Sequence, residues 1–354
     1  MRPWREAMAE ALYGERGFYR STAGPAAHFR TSAHCGPAFA AAIAALVDRV
    51  DVALGHPPRL DLVDVGAGRG ELLQSLAARA ARGWALGPRL QLTGVEVVPR
   101  PAGLVTTIGW EPEIPPVTGV LLANEWLDVI PLDVVELTAG GLRTVLVNRA
   151  GEEATGPAAG AAAAAWVRRW WPLTRIGARA EVGLDRDVAW AGAVGRVQAG
   201  VALAVDYGHT LRAPTGPTGD VATRPDPLAG RPAYGSLTGY RLGRAIRPTP
   251  DGTCDLTAHV ALDSCRVAAG EPAVLTIQRV ALTRLGMDAS RPPLPLAATD
   301  PAAYLDRLRD AGQAAQLLDP GGLGGFGWLL HGVGIDVPLD AATELPPQWR
   351  GPAG

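Results

Sequence analysis

The sequence contains no lysine: all 33 basic residues among its 354 are arginines, set against 35 acids for a formal net charge of −2. Near-neutrality argues against the clustered cationic surplus on which binding to nucleic acid by counterion release depends. Cysteine is scarce as well. Cys35, Cys254 and Cys265 form an odd set without C-x-x-C spacing, which argues against a disulfide framework or a structural zinc site and fits a reducing compartment, the cytoplasm. Long apolar runs are missing: the longest, around Ala158 to Val167, is interrupted by Gly160 and falls short of the roughly 20 residues that cross a bilayer. The opening Met1-Arg2-Pro3-Trp4-Arg5-Glu6 carries charge where a secretion signal needs an apolar core. Charged residues are few, at 19%, but apolar residues reach 47%, enough for a buried core and too many for global disorder. The 44 glycines and 31 prolines follow no three-residue period, so they predict frequent loops rather than collagen.

At about 150 residues per domain the length suggests roughly two domains. Residues 3–13 and 37–54 read as helices, the second through Phe39, Ile43, Leu46, Val47 and Val50 at helical spacing. The irregular stretch between them is rich in aromatic and hydroxyl groups and suits the lining of a site. From Leu60 the period changes. Leu60 to Val65 reads as a buried parallel strand, Gly66-Ala67-Gly68-Arg69-Gly70 as a tight turn, and Glu71 to Arg82 as a helix with Leu72, Leu73 and Leu76 on one face. Further strands are expected at Leu90 to Val98, near Val105, at Val117 to Ala123, at Val201 to Val205 and at Ala273 to Val280, with a helix at Pro301 to Leu318. This alternation predicts an α/β fold built on a doubly wound sheet. The expected organisation is a helical segment and cofactor-covering loop over 1–56, a Rossmann-like core over 57–210 with an insertion near 151–190, a loop-rich substrate-side lid over 211–270, a part completing the sheet over 271–338, and a tail over 339–354.

Ligands of such sheets bind beyond the carboxyl ends of strands where the order reverses, which makes the Gly66 to Gly70 turn the candidate pocket. Its G-x-G-x-G spacing differs from the G-x-G-x-x-G of dinucleotide pyrophosphate turns. A ligand without a phosphate at the turn fits better, and S-adenosyl-L-methionine is one. Glycines let the backbone approach it closely, and its ribose diol needs an acceptor at the end of the next strand, where Glu96 stands. Asp64, Gly66, Gly68, Gly70, Glu96 and Asn124 are therefore candidate cofactor residues. The strand ending Ala123-Asn124-Glu125-Trp126-Leu127-Asp128 releases a polar cluster at the same face. Asp128 follows Glu125 at a helical spacing that would set the two side by side; the alternative is that Asn124 or Asp128 simply caps a helix.

The runs Asp64 to Gly70, Ala123 to Pro131, Asp206-Tyr207-Gly208 and Asp255-Leu256-Thr257-Ala258-His259-Val260, in this order, resemble the S-adenosyl-L-methionine-dependent methyltransferases related to the mitochondrial complex I assembly factor, the MidA-like family. Gly17-Phe18-Tyr19, Phe29-Arg30-Thr31-Ser32, Gly235 to Arg241, Gln278 and Asp319 to Gly324 add to the likeness, which spans about Tyr13 to Leu330. The resemblance implies a class I methyltransferase fold with added helical segments, the sulfonium cofactor on the glycine turn, Thr31 and Ser32 among its contacts, and methylation of an arginine in a partner protein. Departures fall where the family carries Gly-Asp (Ala27-His28 here), Ser-Pro-Glu (Ser32-Ala33-His34), His-Arg (Gly243-Arg244) and a closing Asp (Ala261).

For a guanidinium acceptor, carboxylates can orient the group and hold its charge away from the attacking nitrogen; Glu125 and Asp128 are the candidates. His259 is a further candidate, as proton acceptor or substrate contact, although a lone histidine is often structural. No metal is expected. The expected partner is a protein substrate, with self-association open and neither nucleic acid nor membrane involved. Two alternatives stand beside the active methyltransferase: a catalytically inactive descendant that binds the cofactor and acts as an assembly scaffold, and a nicotinamide-dependent oxidoreductase using the same turn.

Overall fold

The computed structural model describes residues 1–20, 36–210 and 235–339. Its centre is a seven-stranded sheet of Leu60–Val65 (β1), Leu90–Val95 (β2), Ile108–Glu111 (β3), Val117–Asn124 (β4), Val197–Asp206 (β5), Ala273–Ile277 (β6) and Gly327–Val333 (β7). The spatial order is β6-β7-β5-β4-β1-β2-β3. β1 to β5 run parallel, and β7 lies antiparallel between β5 and β6. The order reverses between β1 and β4, which opens a crevice at their carboxyl ends.

The strands alternate because both faces are covered. Leu60 and Leu62 of β1, Val120 and Leu122 of β4, and Val201, Leu203 and Val205 of β5 join the apolar layer under the helices Pro37–Ala53 and Glu71–Ala81. Val63 and Val65, Leu121 and Ala123, and Ala202 and Ala204 join the opposite layer, which includes Trp190 of the helix Leu184–Val194 and Leu262 and Cys265 of the helix Leu262–Ala269. Residues two apart along a strand share a face, so one strand feeds two cores.

The doubly wound expectation holds, with local differences. β2 ends at Val95 rather than Val98: the N–H of Glu96 makes the last bond across to Glu111 of β3, at 3.1 Å, and the chain turns away from Val97. The strand expected near Val105 lies at Ile108–Glu111, after the turn at Pro101 to Leu104. The last core stretch divides at Gln278, where a helix, Gln278–Arg284, takes over from β6.

The insertion is larger than expected and has a different character. It starts at Asp133 and forms a second, antiparallel sheet of Asp133–Thr138, Gly141–Val147, Glu153–Ala158 and Arg179–Val182, joined by Arg2–Pro3 from the amino terminus. Met8 and Leu12 of the amino-terminal helix, Trp4–Tyr13, pack with Val134, Val145, Leu237 and Leu256 in one core. The expected loop-rich region is also partly ordered: Thr238–Arg241, Arg244–Ile246 and Asp255–Thr257 form a small antiparallel sheet. The expected lid around Leu211 to Pro232 lies outside the described residues. No described helix is long and apolar enough to cross a membrane.

One backbone contact fixes the spacing at the centre. Gly200 in β5 faces Gly119 in β4 with φ of +128°, and a Cβ on Gly200 would fall on the carbonyl oxygen of Gly119. Gly200→Ala is expected to cost about 2–4 kcal/mol, combining backbone strain with forced separation of the strands. A lowered urea midpoint with an unchanged m value checks this.

Candidate active site

The crevice at the carboxyl ends of β1, β2 and β4 is a cleft of about 1280 Å³. Its floor is the glycine turn. Gly66, Gly68 and Gly70 have φ of +72°, +59° and +79°, a region that other residues enter at a cost. Two of them are also crowded: a Cβ on Gly66 would lie 3.0 Å from the Trp126 ring, and one on Gly70 would lie 2.6 Å from the end of the Leu104 side chain. A Cβ on Gly68 would meet only Glu71 Oε2, at 3.7 Å, and Gly68 donates its N–H to Glu96 Oε2 at 3.1 Å. Glu96 Oε1 accepts the N–H of Val97 at 2.7 Å. Each carboxylate oxygen has two acceptor positions, so Glu96 retains capacity for a ribose diol while staying tied to the turn. Asp64, at the end of β1, lines the same end of the cleft. Burial first, then the charges of Glu71 and Glu96, push its carboxyl up to about 8. Burial raises Glu96 as well.

The other end is shaped by the segment after β4. No helix starts there, so the expected side-by-side placement of Glu125 and Asp128 at helical spacing is corrected, as is the capping alternative. Glu125 takes a left-handed conformation, φ +52°, while its N–H bonds to Val205 at 2.8 Å. The chain then turns around Asp206, the last residue of β5, whose Oδ2 accepts the N–H groups of Leu127 at 3.0 Å and Asp128 at 3.2 Å. The carbonyl of Asp128 is held from the far side by the buried Arg186 at 2.6 Å and by Ala258 N–H at 3.1 Å. Tyr207 donates its hydroxyl to Asp128 Oδ2 at 2.7 Å. Asp128 Oδ1 is buried without a partner, and so is Asn124 Oδ1. Burial raises the Asp128 carboxyl to about 6, against the opposing pull of Tyr207 and Arg186.

Asn124, Glu125 and Asp128 thus line one cleft with Asp64, the glycine turn and Glu96. His259 does not line it. Its ring packs edge-on against Tyr207, 5.4 Å between centroids, and its carbonyl accepts from Arg186 at 2.7 Å, so it meets the site through Tyr207. Thr31 and Ser32 lie outside the described residues. Asp255, Tyr13, Tyr19 and Trp126 also line the cleft. Tyr19 and Asp255 stand inside short segments matched for resemblance alone; no local spacing signals that they meet, although Tyr19 donates to Asp255 Oδ1 at 2.9 Å.

Charge defines what this cleft can hold. Among the described lining residues eight are Asp or Glu and two are Arg. Such a lining favours a cationic ligand and opposes a pyrophosphate. A doubly wound sheet with this glycine turn, a ribose-competent acid after β2 and an acidic cleft defines a Rossmann-like transferase site for a sulfonium nucleoside. Over residues 42–280 the chain matches the family described as "Putative S-adenosyl-L-methionine-dependent methyltransferase", and it belongs to that family. No curated protein matches it. Two crystal structures from Burkholderia thailandensis share the fold. One is of a candidate methyl transferase bound to S-adenosyl-homocysteine, with a TM-score of 0.74 and 24% identity. The other is a native structure of an uncharacterized protein, with a TM-score of 0.72 and 25% identity. Each likeness covers 96% of this chain and 89% of the other.

Asp64 at about 8 and Asp128 at about 6 lie above the ordinary carboxylate range, so the native chain keeps protons that the unfolded chain releases near pH 4. Unfolding free energy of the free protein therefore falls as pH rises from about 4 to about 8 and then levels off. Asp64→Asn is expected to flatten this slope, by on the order of 1–3 kcal/mol across the interval. Thermal melts at half-unit pH steps check both statements.

Proposed function

We propose that this methyltransferase acts on an arginine side chain of a partner protein. The observation that carries the reading is the acidic cleft, whose glycine turn and Glu96 stand at one end and whose Asn124, Glu125 and Asp128 stand at the other. Gly68 would let the backbone come close to the methionine part of the cofactor, Glu96 would accept from the ribose, and Asp64 would stand toward its cationic groups. When bound, S-adenosyl-L-methionine supplies an electrophilic methyl carbon: the acceptor nitrogen bonds to it, the electron pair of the broken C–S bond stays on sulfur, and one proton leaves the nitrogen.

The chain's own residues supply position and charge, which for a displacement of this kind are the main sources of rate. Glu125 and Asp128 orient a guanidinium and draw its positive charge toward themselves, which leaves electron density on the nitrogen facing the methyl group. In this reading Asp128 Oδ1, buried with no partner, takes the released proton, and a carboxyl near 6 can pass it on at neutral pH. Tyr207 and Asp206 hold Asp128 in place while it does so. The nicotinamide alternative is disfavoured, because a dinucleotide would set two phosphate charges among these carboxylates.

Calorimetry with S-adenosyl-homocysteine is expected to show saturable binding that Glu96→Ala weakens about 10- to 100-fold, the equivalent of ~1.5–3 kcal/mol for hydrogen bonds to a charged group. Transfer of labelled methyl groups from S-adenosyl-L-methionine into arginine of lysate proteins, lost in Asp128→Asn, completes the test. Cofactor binding with no labelled product at any residue would favour the inactive scaffold instead.

A further inference from the structure

Asp255 belongs neither to the glycine turn nor to the segment after β4, yet the fold delivers it to the same cleft. It starts the short strand Asp255–Thr257 and is wholly buried. Its Oδ1 is occupied by the Tyr19 hydroxyl and by the N–H of Leu256, each at 2.9 Å. Its Oδ2 is buried with no partner, as is Oδ1 of Asp128, a residue 3% exposed. Leaving such acceptors unsatisfied costs roughly 1–3 kcal/mol each. Beside them Tyr13 and Tyr19 stack with centroids 5.4 Å apart and planes 20° apart, and both rings line the cleft.

Two unpartnered carboxylate oxygens call for a cation with at least two N–H donors. An ammonium is a point charge, whereas a guanidinium presents a flat fork that can bridge two acceptors and lie against an aromatic wall. Resting on the acceptor reading given above, we propose that Asp255 is the specificity-determining residue of the acceptor subsite. With Asp128 it receives the guanidinium as a cation, through Asp255 Oδ2 and Asp128 Oδ1, beside Tyr13 and Tyr19.

The surroundings of Asp255 make this recognition pH-dependent. It is faced by Tyr13 of the first helix, Tyr19 of the following turn, Asp128 and Tyr240 of the strand Thr238–Arg241. Arg186 stands behind Asp128, with its two terminal nitrogens engaged by the carbonyls of Asp128 and His259. Burial first, then the charge of Asp128, raise the Asp255 carboxyl to about 8. Below that pH a guanidinium must displace a proton to bind, so its affinity rises with pH until the carboxyl is ionised.

The test uses the full chain saturated with S-adenosyl-homocysteine and titrated with N-acetyl-arginine amide or its neutral citrulline counterpart from pH 6.5 to 9. The arginine amide is expected to bind about tenfold more tightly at pH 9 than at pH 7, and the citrulline amide at least tenfold more weakly than arginine amide at pH 9. Asp255→Asn should lower arginine amide affinity at least tenfold at pH 9 and remove the rise with pH, with S-adenosyl-homocysteine affinity within twofold of the parent. Tyr19→Phe, which keeps the carboxylate and removes one of the two hydrogen bonds to its Oδ1, should weaken the arginine amide at least threefold and keep the rise. Equal binding of the two amides, an Asp255→Asn chain with parental affinity and slope, an unaffected Tyr19→Phe chain, or no amide binding while S-adenosyl-homocysteine still binds overturns the proposal and leaves the methyltransferase standing. Failure of S-adenosyl-homocysteine to bind the parent chain would remove both.

Discussion

Asp206 accepts two consecutive N–H groups, those of Leu127 and Asp128, and the arrangement of the site follows from that contact. It bends the chain leaving β4 across the end of β5, so that the segment turns back over the crevice instead of starting a helix. Arg186 and Ala258 hold the carbonyl of Asp128 from the other side, and Tyr207 takes one of its carboxylate oxygens. The backbone of Asp128 is thereby held at both ends, and its Oδ1 is buried with no partner. Burial raises Asp206 itself well above the ordinary carboxylate range, with the charges of Asp128 and Glu125 adding to it. Buried acids this close to one another are tolerable only when backbone N–H groups, tyrosine hydroxyls or an incoming cation share their charge.

The second sheet explains how residues far from the central strands reach the cleft. Arg2–Pro3 pairs with Gly141–Val147, which sets the first helix against that sheet and against the strand Asp255–Thr257. Tyr13 then reaches the carbonyl of Val129 at 3.1 Å, and Tyr19 reaches Asp255. The insertion, peripheral along the chain, supplies no lining residue itself but seats the amino-terminal segment whose Tyr13 and Tyr19 line the site. The core shared by Trp4, Met8 and Leu12 of the first helix with Val134 and Val145 of the second sheet anchors it there.

Electrostatics divides the cleft into two cation-seeking ends. Asp64, Glu71 and Glu96 gather around Gly68, and Asp128 and Asp255 face the tyrosine wall. Each end disfavours its own ionised acids until a positive group arrives. A sulfonium cofactor at the first end, and at the second the guanidinium proposed above, would each relieve that cost by the same principle.

The strand, glycine turn and helix from Leu60 to Ala81, the helix over 37–53 and the position of Glu96 were legible in the chain, because apolar periodicity and glycine spacing are local properties that neighbouring residues enforce. The antiparallel insertion was not, since its strands are short, half-exposed and paired with Arg2–Pro3 at the distant amino terminus. Asn124, Glu125 and Asp128 were visible as a polar cluster, but their directions were decided by Asp206 and Arg186, which stand 78 and 58 residues from Asp128. His259 looked equally eligible and was set behind Tyr207 by packing. Asp255 and Tyr19, 236 residues apart, meet only because two sheets and a helix converge. Chemistry encoded in adjacent residues was thus settled by the sequence alone, whereas contacts across long separations awaited the burial that brings their elements together.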